Sequence, residues 1–521
     1  MTIQEGEFEP SEGFSLSIKK VLFNFIKLIP KMRKLRKKAT KIIQEMGEID
    51  KKVQAPSSET IQSDLEKICS VPHRRIGTKN AHKIEDYLYA QFKELGLKNI
   101  KKEPVNVIDW VAKQWKLTIS TQNETLEVPC FYVLNTEFTK PEGITAPLIY
   151  LGEGKPKDFK KIDVKNKIVV ADIKFPNLPL GKLLKIVKPY YISDPQKAID
   201  KTTKIILTFA LLNFPPQSYG GEPREDSVYW RAVRRGALGL ILILRDYPSN
   251  VNSHWGPYDG TMKPVPALYV GKYDGMKVRD LSQMDGAEGT IILEGSKEPS
   301  TANNIWGILP GQSEEMIMVS SHHDSAFEGA SEDGTGVAMV LAQLRAWSKI
   351  PKSERPRSLL FILSAGHLYG GIGAEAFARK YRNTLLKNVL VDVNLEHMCA
   401  KEVDEDPETL GFKFTDNLAM GALFISPSEW LIAHTIKSLS QYKIENMILI
   451  PDNFFATPPI GEAGHFTMQS DLKVIHWIRS PYYLLTEEDT LDKIDMEKLG
   501  PTAQSVSDLI NSLMSLPREH F

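Results

Sequence analysis

The sequence predicts an α/β protein built on a three-layer α/β/α sandwich with a mixed, mostly parallel sheet. From Asn304 onwards, strand-like apolar runs at 305–309, 316–320, 359–363, 389–395 and 472–477 alternate with helical segments. Such alternation is typical of parallel sheets covered by helices. Between about 109 and 300 the texture changes to short β-type runs separated by Gly and Pro. This change predicts a second, β-rich domain inserted into the first.

The N-terminal segment, residues 1–55, predicts a basic amphipathic helix. One helical stripe is apolar, and basic residues are dense from Lys31 to Lys41; the stripe comprises Ile18, Val21, Leu22, Phe25, Ile26 and Ile29. The favoured interpretation is that the stripe docks on the body of the protein. The alternative is that residues 18–41 lie on an anionic membrane surface.

The first part of the main domain, residues 56–108, predicts two amphipathic helices and a strand. Start signals at 57–60 and the terminators Gly96 and Asn99 bound the helices, and the strand covers 104–108. The insert, residues 109–300, carries β-type runs and one helical segment at 228–235; two apolar stretches, 178–187 and 205–214, interrupt it. The second part of the main domain is predicted to span 301–515.

Composition excludes several classes of protein. The 521 residues suffice for two or three domains, and 65 basic against 65 acidic residues give no net charge to favour nucleic acid. Three widely spaced cysteines exclude a disulfide framework and a cysteine-rich zinc site. The acidic, polar N-terminus is unlike a secretory signal, and no apolar run reaches the roughly 20 residues that span a bilayer. We therefore expect a cytoplasmic location.

The run from His322 to Glu332 predicts a metal-dependent hydrolase. It places an imidazole, the carboxylate of Asp324 and a further acid between a strand and a helix. An acid close to a metal-binding histidine commonly orients the imidazole. His322, His367 and Glu396 each fall at the end of a predicted strand, and sites in parallel sheets form beyond the carboxyl ends of strands.

These residues resemble the co-catalytic zinc aminopeptidase family of peptidase clan MH, which includes glutamate carboxypeptidase and the transferrin receptor ectodomain. The resemblance covers about 56–108 and 300–515; it is carried by Pro-His-Arg-Arg-Ile-Gly-Thr at 72–78, by residues 301–311 and by the motif above. The middle of the chain is similar to a protease-associated (PA) domain at 163–170, 235–240 and 265–269. The resemblance implies a zinc-exopeptidase-like sandwich with an inserted PA-like domain.

The resemblance also implies ligands for one of the family's two ions. His322 matches the first ligand, and Asp324 matches its orienting partner. Glu332 occupies the bridging position, Glu396 occupies the position of a strand-end aspartate, and the peptide bond between Glu332 and Asp333 is expected to be cis. These three ligands would suit zinc, or manganese or magnesium.

The second ion lacks its ligands in this sequence. His367 takes the place of the family's general base, Leu368 takes the place of a ligand, and Leu485 takes the place of a late histidine. Leucine offers a metal no lone pair. The sequence therefore predicts at most one divalent cation, with His367 as the candidate base.

Neighbouring polar residues receive structural interpretations. We expect His323 and His397 to point away from the site, Asp333 to shape its turn, and Asp489 and Thr490 to fix a late loop. Glu462 and His465 either cap a loop, which is favoured, or rebuild part of the lost site.

Two functions remain open from the sequence. The first is a metallopeptidase-like hydrolase of peptides or related amides with a single-metal site. The second is a catalytically inactive binding protein on a peptidase scaffold, because fold does not fix function.

Overall fold

The computed structural model describes residues 18–175, 177–208, 227–257, 259–455 and 458–521, with side chains from residue 27 onwards. The helices, in chain order, are α1 (Ile18–Glu45), α2 (Ser58–Cys69), α3 (Lys79–Glu94), α4 (Leu180–Val187), α5 (Val228–Val233), α6 (Lys272–Leu281), α7 (Thr335–Ser348), α8 (Ile372–Tyr381), α9 (Glu429–Gln441), α10 (Glu462–Met468) and α11 (Leu499–Met514).

The strands begin with the long strand β1, continue through the insert and end in the main sheet. They are β1 (Lys98–Ser120), β2 (Thr125–Val128), β3 (Phe131–Tyr132), β4 (Ile144–Tyr150), β5 (Ile168–Ile173), β6 (Asn177–Leu178), β7 (Tyr191–Ser193), β8 (Ile205–Ile206), β9 (Gly239–Leu244), β10 (Ala267–Val270), β11 (Glu288–Leu309), β12 (Ser313–His322), β13 (Arg357–Ser364), β14 (Val389–Leu395), β15 (Lys401–Glu405), β16 (Phe412–Leu418), β17 (Gly421–Ile425), β18 (Met447–Pro451) and β19 (Val474–Arg479).

The predicted fold class is confirmed. In the main sheet β13, β12, β14 and β19 are parallel neighbours, whereas β11 and β17 pair antiparallel at either side. The parallel strands are almost wholly buried, as sheets covered on both faces require. β14 has the predicted bounds, and the predicted strand at 472–477 lies two residues later, in β19.

The insert is tied to the main sheet by two long strands. β1 and β11 pair antiparallel along most of their length, and they run through both predicted boundaries, 108/109 and 300/301. β11 pairs with β4 of the insert at one end and with β13 at the other. The insert also has a parallel sheet of its own, in the order β10-β9-β5-β4. The four predicted domain ranges stay predictions.

The insert packs against the main domain close to the strand ends. One buried apolar cluster combines insert residues such as Trp255 with Phe327, Leu368 and Leu485 of the main domain. The backbone N–H of Trp255 donates to the carbonyl oxygen of Leu485 at 2.7 Å. The two leucines that replace metal ligands in the resemblance therefore serve as packing surface for the insert.

The N-terminal helix docks on the body of the protein. Leu28, Met32 and Ala39 are buried in the main core, and Lys38 Nζ lies 2.6 Å from a carboxylate oxygen of Glu429 on α9. This part of α1 thus packs on the main domain through residues outside the predicted stripe. Within that stripe the structure describes the side chain of Ile29, which is half-buried, so docking of the stripe itself stays a prediction. Membrane contact through 18–41 stays a prediction, as do interpretations of 209–214, which lie outside the described residues. Among the described helices, none combines the length and apolarity of a membrane span.

Candidate metal centre

Three parallel strands bring the predicted site residues to one edge of the sheet. His322 is the last residue of β12, Glu396 directly follows β14, and His367 lies three residues beyond β13. All three side chains are buried, with at most 6% of the residue surface exposed. The predicted meeting of these residues at the carboxyl ends of the strands is what the structure shows.

His322 points its Nε2 atom into this edge. Nε2 lies 3.3 Å from Glu332 Oε1, whereas Nδ1 lies 3.1 Å from the carbonyl oxygen of Asp324 and 3.6 Å from its carboxylate. The Asp324 carboxylate also accepts hydrogen bonds from the backbone N–H groups of His367 and Leu368, at 3.1 and 3.0 Å. Asp324 therefore orients the imidazole and fixes the loop after β13 at the same time.

Glu332 is held in place through its backbone. The carboxylate of Asp489 accepts hydrogen bonds from the N–H groups of Ser331 and Glu332, both at 2.8 Å, so its predicted structural role is confirmed. The peptide bond between Glu332 and Asp333 is cis, as the resemblance implies. Asp333 accepts from the N–H groups of Gly336 and His397, which confirms that it shapes the turn.

His397 lies in the site, so the expectation that it points away is wrong. Its Nε2 lies 2.6 Å from Glu332 Oε2, and its Nδ1 hydrogen-bonds to the carbonyl oxygen of Arg479 at 2.7 Å. Consecutive side chains on a strand face opposite ways, but His397 has a left-handed backbone with φ of 53°. That turn brings its ring back to the edge that Glu396 already occupies.

Glu396 is only partly engaged by hydrogen bonds. Its Oε1 accepts from the backbone N–H of Glu462 at 2.6 Å and lies 2.9 Å from Nε2 of His476, a residue that sequence reasoning did not single out. Gly461 approaches so closely that a Cβ atom there would lie 2.8 Å from both carboxylate oxygens, and its φ is 94°. Glycine at 461 is therefore required for the start of α10 to cover Glu396.

His367 and Glu462 form a closely coupled pair beside His322. His367 Nδ1 lies 2.7 Å from Glu462 Oε2, and the hydroxyl of Ser364 donates to the other oxygen of that carboxylate. The rings of His367 and His322 stack at 4.1 Å between centroids. The favoured loop-capping interpretation is thus wrong for the Glu462 side chain. The ring of His465 lies 5.3 Å from that of His367, edge to face.

Buried charges shift several pKa values at this edge. Burial disfavours a charged His397, but the carboxylate of Glu332 outweighs burial and raises the pKa of His397 to about 10. Burial likewise opposes ionisation of Glu332, yet His397 and His322 hold its pKa well below the ordinary value. Burial raises the pKa of Asp333 to about 7. Imidazoles and carboxylates are therefore strongly paired, and a cation would compete with protons for the same atoms.

The donor atoms fit a divalent cation. His322, Glu332 and His397 offer ligand atoms within 4.8 Å of one another, and so do His322, His367 and Glu396, and also His367, Glu462 and His465. Among the described residues, four buried atoms lack a hydrogen bond of good geometry despite these close charge contacts: His322 Nε2, Glu332 Oε1, Glu396 Oε2 and His397 Nε2. Buried polar atoms rarely stay unsatisfied. The predicted ligands His322, Glu332 and Glu396 are divided between two groups that share His322.

Aliphatic side chains close the rest of this site. Leu368, Leu484 and Leu485 line its cavity together with Glu332 and His397. Ile460, Ile478 and Ser480 line the same cavity and also border a larger apolar cavity that α4 and β8 help to enclose. Nitrogen and oxygen ligands therefore lie on one wall, and apolar surface lies on the others.

With this geometry in view, comparisons relate the chain to metallopeptidases. Residues 304–455 match the model of peptidase family M28. The fold resembles a peptidase M28 precursor from Shewanella amazonensis, with a TM-score of 0.63 and 17% identity over 96% of this chain and 98% of that one. It also resembles a zinc aminopeptidase from Bacillus subtilis, with a TM-score of 0.61 and 16% identity over 90% and 98% of the two chains.

One of the curated relatives is a transferrin receptor protein. Transferrin receptor protein 2 from Homo sapiens is 22% identical over 342 residues, which cover 60% of this chain and 40% of that protein. The chain thus matches less than half the length of this relative. The resemblance to zinc aminopeptidases and to the transferrin receptor, inferred from the sequence motifs, is confirmed.

Proposed function

We propose that the protein is a metal-dependent hydrolase of the zinc exopeptidase type that cleaves a peptide or a related amide with one divalent ion. The observation that carries the proposal is the group of unsatisfied buried atoms at His322, Glu332, Glu396 and His397. Their elements are the nitrogen and oxygen donors that zinc takes. The match of residues 304–455 to peptidase family M28 supports the same class of reaction.

The geometry favours His322, Glu332 and His397 as the ligands. Donor atoms on one tetrahedral zinc lie roughly 3.3 Å apart when each bond is about 2.0 Å. The contact between Glu332 Oε1 and His322 Nε2, at 3.3 Å, matches that spacing, and the other carboxylate oxygen of Glu332 lies 2.6 Å from His397 Nε2. Glu396 Oε2, 4.0 Å from His397 Nε2, is the nearest further oxygen. His397 thus joins the two predicted ligands, and Glu396 supports the group from beside it.

The protein's own residues position the reaction. When bound, the ion supplies the Lewis acid that amide hydrolysis requires. His367 is the base in this proposal, because Glu462 Oε2 lies 2.7 Å from its Nδ1 atom and orients the ring beside His322. Burial and the neighbouring His322 oppose protonation of His367, but Glu462 outweighs both and raises the pKa of His367. Leu368, which packs against the insert, forms an apolar wall on this side.

Metal analysis of the purified protein tests the proposal most directly. We expect about one equivalent of bound divalent metal, hydrolysis of members of a peptide library, and loss of that hydrolysis on chelation. Re-addition of zinc should restore it. Protein that binds no metal and cleaves no peptide would contradict the proposal.

A second candidate function is a non-catalytic binding protein. The packing of Leu368 and Leu485 against the insert, where the family's second ion would need ligands, favours it. The relation to transferrin receptor protein 2 agrees with it. Specific partner binding that survives both Glu332→Gln and Glu396→Gln would select this function. The PA-like character of the insert and the cytoplasmic location also stay predictions.

A further inference from the structure

A second cavity lies across Leu368 from the metal centre. It has a volume of about 440 Å³, opens to solvent, and lies between the insert and the main domain. Its polar lining comes from Arg75, Asp109, Asn135 and Asp324, whose carboxylate already accepts from the backbone N–H groups of His367 and Leu368. Aromatic rings of the insert and the main domain supply much of the rest. Because Leu368 lines both cavities, a ligand that extends past this side chain reaches from one to the other.

Arg75 has more hydrogen-bonding capacity than its neighbours use. Its guanidinium lies over the ring of Trp255, 5.2 Å from the centroid, and one N–H donates to the hydroxyl of Tyr132 at 3.2 Å. Its Nε atom is buried and has no hydrogen bond within the described part of the chain. Arg75 acts on the carboxylate of Asp109 electrostatically and partly offsets the rise in the pKa of Asp109 that burial causes, but arginine has five N–H donors. An arginine that lines a cavity and keeps unused N–H donors can bind an anion that enters the cavity.

The chemistry of the cavity specifies the anion. A guanidinium binds a carboxylate through two parallel hydrogen bonds. Trp110, Trp255 and Tyr369 offer apolar faces to the part of the ligand that carries the carboxylate. Asp109 lines the same space, and its negative charge opposes binding of an anion. Removing Asp109 should therefore act in the direction opposite to removing Arg75.

We propose that Arg75 binds a carboxylate of the substrate, so that the substrate is a peptide or acyl amino acid with an anionic group beyond Leu368. The identification of the ligand as a substrate rests on the proposed function, whereas binding of a carboxylate by Arg75 does not. The carboxylate has two possible sources, the C-terminus of a peptide and an acidic side chain. Both present the same group to Arg75, and kinetics with defined peptides separates them.

Calorimetric binding of ligands that cannot be cleaved as peptides tests the site without requiring hydrolysis. The probes are 3-phenylpropionate and the neutral 3-phenylpropanol, titrated into the full-length protein. Arg75→Met should weaken binding of the carboxylate about 10- to 100-fold, the range expected for a charge-assisted hydrogen bond, and Asp109→Asn should strengthen it. Binding of the alcohol should stay unchanged in both variants. Arg235→Met is the matched control, because Arg235 also stacks on an aromatic ring but is exposed on the insert.

Arg75→Lys separates loss of the site from loss of folding. It keeps the charge without the two-pronged geometry, so it should bind the carboxylate with intermediate affinity. Unchanged affinity for 3-phenylpropionate in folded Arg75→Met, or no binding by the wild type, would overturn the proposal.

Hydrolysis of Ala-Phe, Ala-Phe-NH2 and Ala-Glu-NH2 identifies the source of the carboxylate. If the C-terminus is bound, Arg75→Met raises KM for Ala-Phe alone. If an acidic side chain is bound, the same change affects Ala-Glu-NH2. Absence of hydrolysis with intact binding would reject the proposed function and leave the carboxylate site standing.

Discussion

Two groups of buried polar side chains meet at the same sheet edge, and they differ in how their hydrogen bonds are satisfied. The ligand cluster, which we define as His322, Glu332 and His397, keeps unsatisfied nitrogen and oxygen atoms that face one another. The proton-transfer pair, which we define as His367 and Glu462, is satisfied by its own short contact and by a hydrogen bond from the hydroxyl of Ser364. Both groups are almost fully buried.

The difference indicates a division of labour between the two groups. A buried carboxylate or imidazole without partners costs free energy, unless a ligand supplies the missing contacts. A hydrogen-bonded histidine and glutamate have no such need, but their coupling fixes which ring nitrogen carries the proton. We therefore assign cation binding to the ligand cluster and proton transfer to the proton-transfer pair.

Glu332→Gln should produce the largest effect, because it removes the charge that both imidazoles of the ligand cluster face. We expect metal affinity to fall by at least the roughly 10- to 100-fold that loss of a residue supporting a ligand costs, and hydrolysis to be lost with it. Metal content after dialysis measures this change. The control is Glu328→Gln on the same loop, whose carboxylate accepts from the N–H of Leu491 instead. Equal metal content in Glu332→Gln and Glu328→Gln would show that the ligand cluster does not hold the cation.

His367→Gln should separate catalysis from metal binding. Loss of a general base typically costs about 10²- to 10⁴-fold in rate, whereas metal content should stay close to that of the wild type. Single-turnover hydrolysis and metal analysis on the same preparation measure both quantities. His323→Gln is the matched control, since His323 bonds to the carbonyl oxygen of Asn303 outside the site. Loss of metal in His367→Gln would instead place His367 among the ligands.

Glu462→Gln should have a smaller effect and a distinct signature. Glu462 raises the pKa of His367 against the opposing effects of burial and His322, so the neutral amide lets that pKa fall. The acidic limb of the kcat/KM profile should then move to lower pH, and the rate should drop about tenfold because the base is weaker. An unchanged profile would show that His367 is not the titrating base.

The sequence predicted the parallel core of the fold because that information is local. β12, β13 and β14 are short apolar runs bounded by polar residues, and β14 has the predicted ends. The long ribbon of β1 and β11 was predicted only in fragments. Its alternating, half-exposed residues are interrupted by Pro104 and many lysines, and its stability depends on pairing with a strand far along the chain.

The sequence predicted those site residues that lie at strand ends and in recognisable motifs. His322, Glu332 and Glu396 follow from strand ends and from the resemblance. His397 was dismissed because strand alternation turns it away, and only its left-handed backbone reverses that. Glu462 reaches His367 from a helix start 95 residues away, a contact that no local pattern indicates. His476 lies within an apolar strand and gave no signal.

Asp392 on β14 lies close enough to Glu462 and Glu396 to sense their charges. Its ionisation offers a test of stability that does not require hydrolysis. Burial, with the charges of Glu462 and Glu396, raises the pKa of Asp392 to about 8, and Ser320 donates to its carboxylate at 2.7 Å. Since the folded pKa exceeds the unfolded one, stability from this group is full below about pH 4 and is lost as pH rises through about 8.

Asp392→Asn should therefore remove a pH dependence without removing the side chain's shape. Relative to the wild type, the variant should gain about 3 to 4 kcal/mol in unfolding free energy between pH 5 and pH 8, at about 1.36 kcal/mol per pH unit. Urea unfolding at both pH values measures this difference, with the exposed Asp471→Asn as control. A cation bound beside Glu396 should reduce the gain, because its positive charge partly offsets the negative charge of Glu396. A gain that is the same with and without metal would place the cation away from Glu396.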